Sequence, residues 1–138
     1  MLFAGCAGPD LPWGWEDAQP VESTQTECVG NPYEAHDEHI EVAGGASWID
    51  VDYLEAHFRC DQEVEAFRRG NGASIEFLVQ PVDMNPSVVT ACDCLYNVTI
   101  TVPGLATGDY AVSLFRRWDN LNDPNDPLLI GSASGVVE

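Results

Sequence analysis

The chain has 138 residues, a length that suits one domain with a single hydrophobic core. It carries 23 acidic and 5 basic residues, a formal net charge of −18, and every base is an arginine. Such a field repels nucleic acid and anionic lipid surfaces and favours cations or cationic partners; no stretch approaches the ~18 consecutive apolar residues of a membrane span.

The chain opens Met1-Leu2-Phe3-Ala4-Gly5-Cys6: apolar residues, two small residues, then a cysteine. This resembles the lipobox of bacterial and archaeal secreted lipoproteins, whose cysteine becomes the lipidated first residue of the mature protein. The resemblance implies export, lipidation of Cys6, and a lipid anchor holding a periplasmic or cell-surface domain at a membrane. A secretory signal carries a basic segment and about 7–15 apolar residues before its cleavage site. Residues 1–6 therefore read as the truncated end of a signal, and a longer native N-terminus is expected. Within residues 7–30, Ala7 to Glu27 hold Pro9, Pro12 and Pro20, the glycines Gly8 and Gly14, and many polar residues. That composition reads as a flexible tether, which leaves 31–138 as the folded domain. Trp13 and Trp15 on the tether suit a partner-binding stub or edge packing.

The rest reads as β structure. Strands are expected near 38–44, 47–60, 63–69, 73–82 and 90–102, then from Tyr110 and from Leu128. Ile49, Val51 and Tyr53 alternate with aspartates, and the apolar phase then slips to Leu54, Ala56, Phe58 and Cys60. A one-residue slip is what a β-bulge or a switch between sheets produces; a helix over 53–59 is the competing reading. Gly70-Asn71-Gly72 predicts a hairpin. From 92 to 102, Cys92, Cys94, Tyr96, Val98, Ile100 and Val102 alternate with mostly polar residues, the period of a half-buried strand. Short strands with turn signals every ~8–12 residues predict an all-β sandwich or barrel.

Residues 102–112, Val-Pro-Gly-Leu-Ala-Thr-Gly-Asp-Tyr-Ala-Val, carry the pattern Leu-x-x-Gly-x-Tyr-x-Val. This resembles the E–F corner of immunoglobulin-like and fibronectin type III-like sandwiches. The resemblance implies an antiparallel sandwich of about seven strands. In it Leu105 plugs the core, Gly108 turns the chain and the Tyr110 hydroxyl bonds to backbone just upstream. An ordinary hairpin with a strand tyrosine is the alternative. The corner speaks for fold and is nearly silent on function. Cys92-x-Cys94-x-Tyr96 before it is loosely similar to small bacterial surface lipoproteins of unassigned role.

With Cys6 set aside, Cys28, Cys60, Cys92 and Cys94 remain, an even set that implies two disulfides in an exported domain. A thiolate metal site is the rival reading, although Cys92-Asp93-Cys94 lacks zinc-ribbon spacing. In an antiparallel run of the expected strands all four fall at one end. Residues i and i+2 of a strand lie about 6.5–7 Å apart, at or past the disulfide limit. Two crossed pairings survive, and Cys60–Cys92 with Cys28–Cys94 is favoured.

Asp119, Asp123 and Asp126, with three asparagines between them, supply the hard oxygens that calcium takes. The spacing is not that of an EF-hand, and a plain acidic loop has the same composition. A plain acidic loop is the favoured reading and a calcium site at these aspartates the alternative; no other cofactor is expected. His36-Asp37-Glu38-His39 with His57 suits zinc or copper, but such runs are more often solvated. His57 is expected on the outer face of its strand with Glu55 and Arg59. Trp48 and Trp118 suit a sugar-binding face or sheet-end packing. Arg68-Arg69 and Arg116-Arg117 are expected to pair internally with acids. No nucleophile elbow, H-E-x-x-H, Walker loop or dinucleotide fingerprint occurs. The expected function is therefore a non-catalytic lipoprotein domain that binds or scaffolds through a protein or carbohydrate ligand. A calcium-binding module and a carbohydrate-binding domain are the alternatives.

Overall fold

The computed structural model describes residues 8–70, 72–89 and 91–138; Cys6 and the lipobox lie outside them. Nine strands are present among the described residues: β1 (Gln19–Val21), β2 (Ser23–Gln25), β3 (His39–Gly44), β4 (Trp48–Arg59), β5 (Val64–Arg69), β6 (Ser74–Pro81), β7 (Asp93–Pro103), β8 (Gly108–Arg116) and β9 (Leu128–Val137). They form a five-stranded sheet, β1-β5-β6-β8-β9, and a four-stranded sheet, β2-β7-β4-β3. The two sheets and two disulfides make the expected all-β, disulfide-stabilised sandwich.

The core follows from alternation. Cys94, Tyr96, Val98, Ile100 and Val102 of β7 meet Ile49, Val51 and Tyr53 of β4 and, from the facing sheet, Ile75, Phe77, Val112 and Leu114. The phase slip in β4 is a bulge. Its pairing with β7 shifts between Tyr53 and Ala56, and Glu55 takes a φ of 55°. The extra residue turns Ala56 and Phe58 inward, where both are fully buried. No helix forms over 53–59. Gly70 and Gly72 adopt positive φ in the expected β5–β6 hairpin. At the corner, the Tyr110 hydroxyl donates to the Ala106 carbonyl at 2.7 Å, and Leu105 packs against the core.

Two features differ from an antiparallel sandwich of about seven strands. First, β6 pairs with β8 in parallel. Parallel neighbours need a long crossover, and here residues 82–107, with β7 in the opposite sheet, supply it. Second, the N-terminal segment is part of the fold and not a tether. β1 pairs with β5 and β2 with β7, so the chain crosses from one sheet to the other at Glu22.

The physical reason lies in the five-stranded sheet, which is apolar on both faces. Phe67, Leu78 and Phe115 point away from the main core, and a sheet with two apolar faces needs a cover on each. Leu11, Trp15 and Ala18 provide it. A turn from Pro12 to Trp15, with Gly14 at φ 88°, tucks Trp15 to 2% exposure and leaves Trp13 at 92%. The Arg69 guanidinium then lies 3.8 Å above the Trp15 ring.

Strand directions sort the connections. Residues 26–38, 60–63, 82–89 with 91–92, and 117–127 gather at one end, called here the loop end. The described residues of the short links 45–47, 70–73 and 104–107 lie at the other.

Candidate functional site

Every long connection sits at the loop end, and each is fastened. Cys28 is bonded to Cys94 and Cys60 to Cys92, with Cα separations of 5.5 and 5.3 Å. The pairing joins the 26–38 and 60–63 links to the start of β7. Cys60 Sγ lies 3.0 Å from Cys94 Sγ, so the two bridges touch. Cys60, Cys92 and Cys94 are the only group of three metal-ligand residues gathered within 4.8 Å among the described residues. Their sulfurs are oxidised, and a disulfide is not a thiolate ligand. Structural disulfides mark an oxidising environment outside the cytosol.

The first residue of the proposed calcium set has another task. Asp119 is completely buried. Its Oδ2 accepts from Arg59 Nε at 2.9 Å and Gln62 Nε2 at 3.1 Å, and its Oδ1 from the Leu121 amide at 3.0 Å. Burial opposes its ionisation, but these bonds and the Arg59 charge outweigh burial and hold its pKa below the usual aspartate value. Asp123 and Asp126 stay exposed farther along the loop. The three aspartates therefore do not converge on one point. Asp119 is the pin that fixes the 117–127 loop to β4.

Arg117 is a second pin. Its Nη1 donates to Gln80 Oε1 and the Asp10 carbonyl, and its Nε to the Asn125 carbonyl, at 2.8–3.0 Å. Burial lowers its pKa most, while Asp10 and Asp126 push back. One side chain so ties the N-terminal segment, β6 and the acidic loop together.

Arg116 reaches across the interior. Its Nη1 donates to Glu38 at 3.0 Å and to the His57 carbonyl, and Glu38 also accepts from the Tyr53 hydroxyl. The guanidinium lies between the rings of Phe58 and Trp118, 4.0 and 4.1 Å from their centroids. Internal pairing, expected for the arginines, holds for Arg116 with Glu38, Arg117 with Asp10 and Arg69 with Glu76.

The histidines are not gathered into a metal site. His57 sits on the outer face of β4, as alternation predicts, and its Nε2 bonds Asp93 at 3.0 Å. Asp93 also accepts from Tyr33 at 2.7 Å. Burial acts to raise its pKa, yet the bonds from Tyr33 and His57 bring it below the ordinary value. The same bond to Asp93 raises the Tyr33 pKa. The His36 ring lies 6.5 Å from that of His57. His39 lies between Asp37 and Glu41 at the start of β3, and its bond to the Asp37 carbonyl leads the raising of its pKa.

Trp118 stands edge-on to His57 at 4.8 Å and, with Arg116, lines a cavity of about 390 Å³ walled by residues 122–128. Trp48 begins β4 at the opposite end, so the two tryptophans do not share a binding face. A second cavity of about 290 Å³ lies between 59–63 and the 82–88 loop.

No family model, curated protein or solved structure matches the chain. The loop end therefore rests on its own geometry. Sequence reading gave Glu38 to a metal cluster and Arg59 to an outer strand face, and gave Asp93 and Gln80 no role. A signal was present in the composition: four of the five arginines, Arg59, Arg69, Arg116 and Arg117, lie against a carboxylate.

Proposed function

We propose that the chain is an exported, non-catalytic binding domain. It is anchored through a lipidated Cys6 and presents its loop end to a ligand. The observation that carries this reading is the asymmetry of the sandwich. Long connections gather at one end, where two disulfides and the Asp119 and Arg117 pins hold them around cavities of about 750, 390 and 290 Å³. Rigid scaffolds commonly carry binding residues on loops placed in this way. The bonds of His57 and Asp93 tie the 26–38 loop to β4 and β7, which is a holding task rather than a reacting one.

Cys6 stands only a few residues before Asp10, which Gln80 and Arg117 hold at the loop end. An anchor there sets the loop end toward the membrane, so the ligand it meets belongs to the envelope layer beside that membrane. Among the described residues no helix is long and apolar enough to cross a membrane.

Two arms test the reading. Expressed with its upstream sequence, the protein should enter the detergent phase and lose that behaviour on Cys6→Ser; unchanged partitioning removes the anchor. On an array of cell-envelope glycans, binding should fall on Trp118→Ala and persist on Trp13→Ala. The reverse pattern would move the binding surface away from the loop end.

A further inference from the structure

We propose that the cavity bounded by Arg116, Trp118 and residues 122–128 takes a neutral polyhydroxylated ligand. Two adjacent hydroxyls of that ligand sit on the Nε and Nη2 hydrogens of Arg116. The proposal rests on the loop-end reading and names the chemistry of its ligand.

Arg116 is 2% exposed, and only its Nη1 is bonded. Its Nε and Nη2 are buried with no hydrogen-bond partner among the described residues. Together these nitrogens form one edge of the guanidinium, a fork of parallel N–H bonds that grips two oxygens at once. Phe58 and Trp118 fix the plane of the fork from both sides. A buried donor left unpaired destabilises the fold, so two on one side chain call for a partner. Arg116 lines the cavity of about 390 Å³, which lies in the size range of small-ligand sites.

Charge selects the ligand class. Glu38, 3.0 Å from Nη1, already balances the guanidinium. Asp123 and Asp126 line the cavity or its rim, and the whole chain carries −18. An anion would meet two carboxylates in a negative field. A cation would satisfy those carboxylates but has no lone pair for the fork. A hydroxyl does both: its oxygen accepts from Nε–H or Nη2–H, and its own hydrogen goes to Asp123 or Asp126. The indole of Trp118 offers an apolar face for the C–H side of a sugar or cyclic polyol. Both nitrogens are covered by protein, so a ligand reaches them only after the side chains over the fork move aside.

The test uses the oxidised full chain, labelled with nitrogen-15. The probes are methyl glucoside, methyl galactoside, methyl mannoside and inositol, with glucuronate and glucosamine as the charged counterparts. The Trp118 indole N–H, assigned with Trp118→Phe, and the Arg116 Nε–H are followed by NMR. At least one neutral probe should shift both saturably. The Asp123→Ala/Asp126→Ala double variant should melt like the parent yet bind about tenfold or more weakly, the loss of one hydrogen bond. A still Arg116 Nε–H with every probe overturns the proposal. So does preference for glucuronate or glucosamine, or undiminished binding by the double variant. Shifts confined to other loop-end amides would overturn this site and leave the loop-end reading standing. Shifts confined to 45–47, 70–73 and 104–107 would overturn both.

Discussion

Asp119→Asn is the most informative single change to the framework. The carboxylate is fully buried and accepts three hydrogen bonds, one of them from a guanidinium. Asparagine keeps the size and one acceptor oxygen. It also turns an amide NH₂ either toward the Leu121 amide or toward Arg59 and Gln62 together, donor against donor. A hydrogen bond to a charged group contributes about 1.5–3 kcal/mol, so the variant should lose about 2–3 kcal/mol at neutral pH. The pH dependence has a definite sign. The folded-state pKa of Asp119 lies below its ordinary value of 3.8. Its contribution is therefore complete above that value and is lost as pH falls through the depressed folded one. Urea unfolding of parent and variant from neutral to strongly acidic pH should show a gap that closes only in acid. A gap below about 0.5 kcal/mol at neutral pH, or one that ignores pH, would refute the pin. A calcium-dependent rise in melting temperature that vanishes in Asp119→Asn would restore the cation site.

Three further outcomes follow from the same geometry. Trp15→Ala should cost about 3–5 kcal/mol in urea unfolding, as for other large buried aromatics; a loss under ~1 kcal/mol would make residues 7–30 a tether after all. Tyr110→Phe should cost about 0.5–1.5 kcal/mol, because the Ala106 acceptor is exposed and water replaces the lost donor; an unchanged midpoint would leave the corner bond without energetic weight. Peptide mapping without reduction should find Cys28–Cys94 and Cys60–Cys92. With separations of 66 and 32 residues, chain entropy gives each bridge about 4 kcal/mol. Cys60→Ala/Cys92→Ala should therefore unfold at clearly lower urea, and a Cys92–Cys94 peptide would contradict the strand order.

What the sequence made legible depends on how local the physics is. The alternation of β7 is a period-two signal within one segment, and it placed the buried face directly. The bulge at Glu55 was readable because a phase slip leaves the same mark in sequence as in structure. The clustering of four cysteines at one end followed from strand parity alone. The N-terminal layer was not readable in the same way. Its prolines and glycines form turns that press Leu11, Trp15 and Ala18 onto a sheet, and composition alone does not separate that from a linker. The need for a cover came from Phe67, Leu78 and Phe115, which lie far away in sequence. Parallel pairing of β6 with β8 leaves no mark in either strand. At the site, an acidic loop looks the same whether its aspartates face solvent or an arginine. Asp119 and Arg59 are 60 residues apart, and only the closed sandwich joins them.

The central claim is that the loop end is the binding surface. The most direct measurement is an amide chemical-shift map of the intact, oxidised domain titrated with soluble cell-envelope glycans. Saturable shifts should concentrate in 26–38, 82–92 and 117–127 and leave 45–47, 70–73 and 104–107 unmoved. Shifts gathered at the short-link end, or spread evenly over both ends, would contradict it.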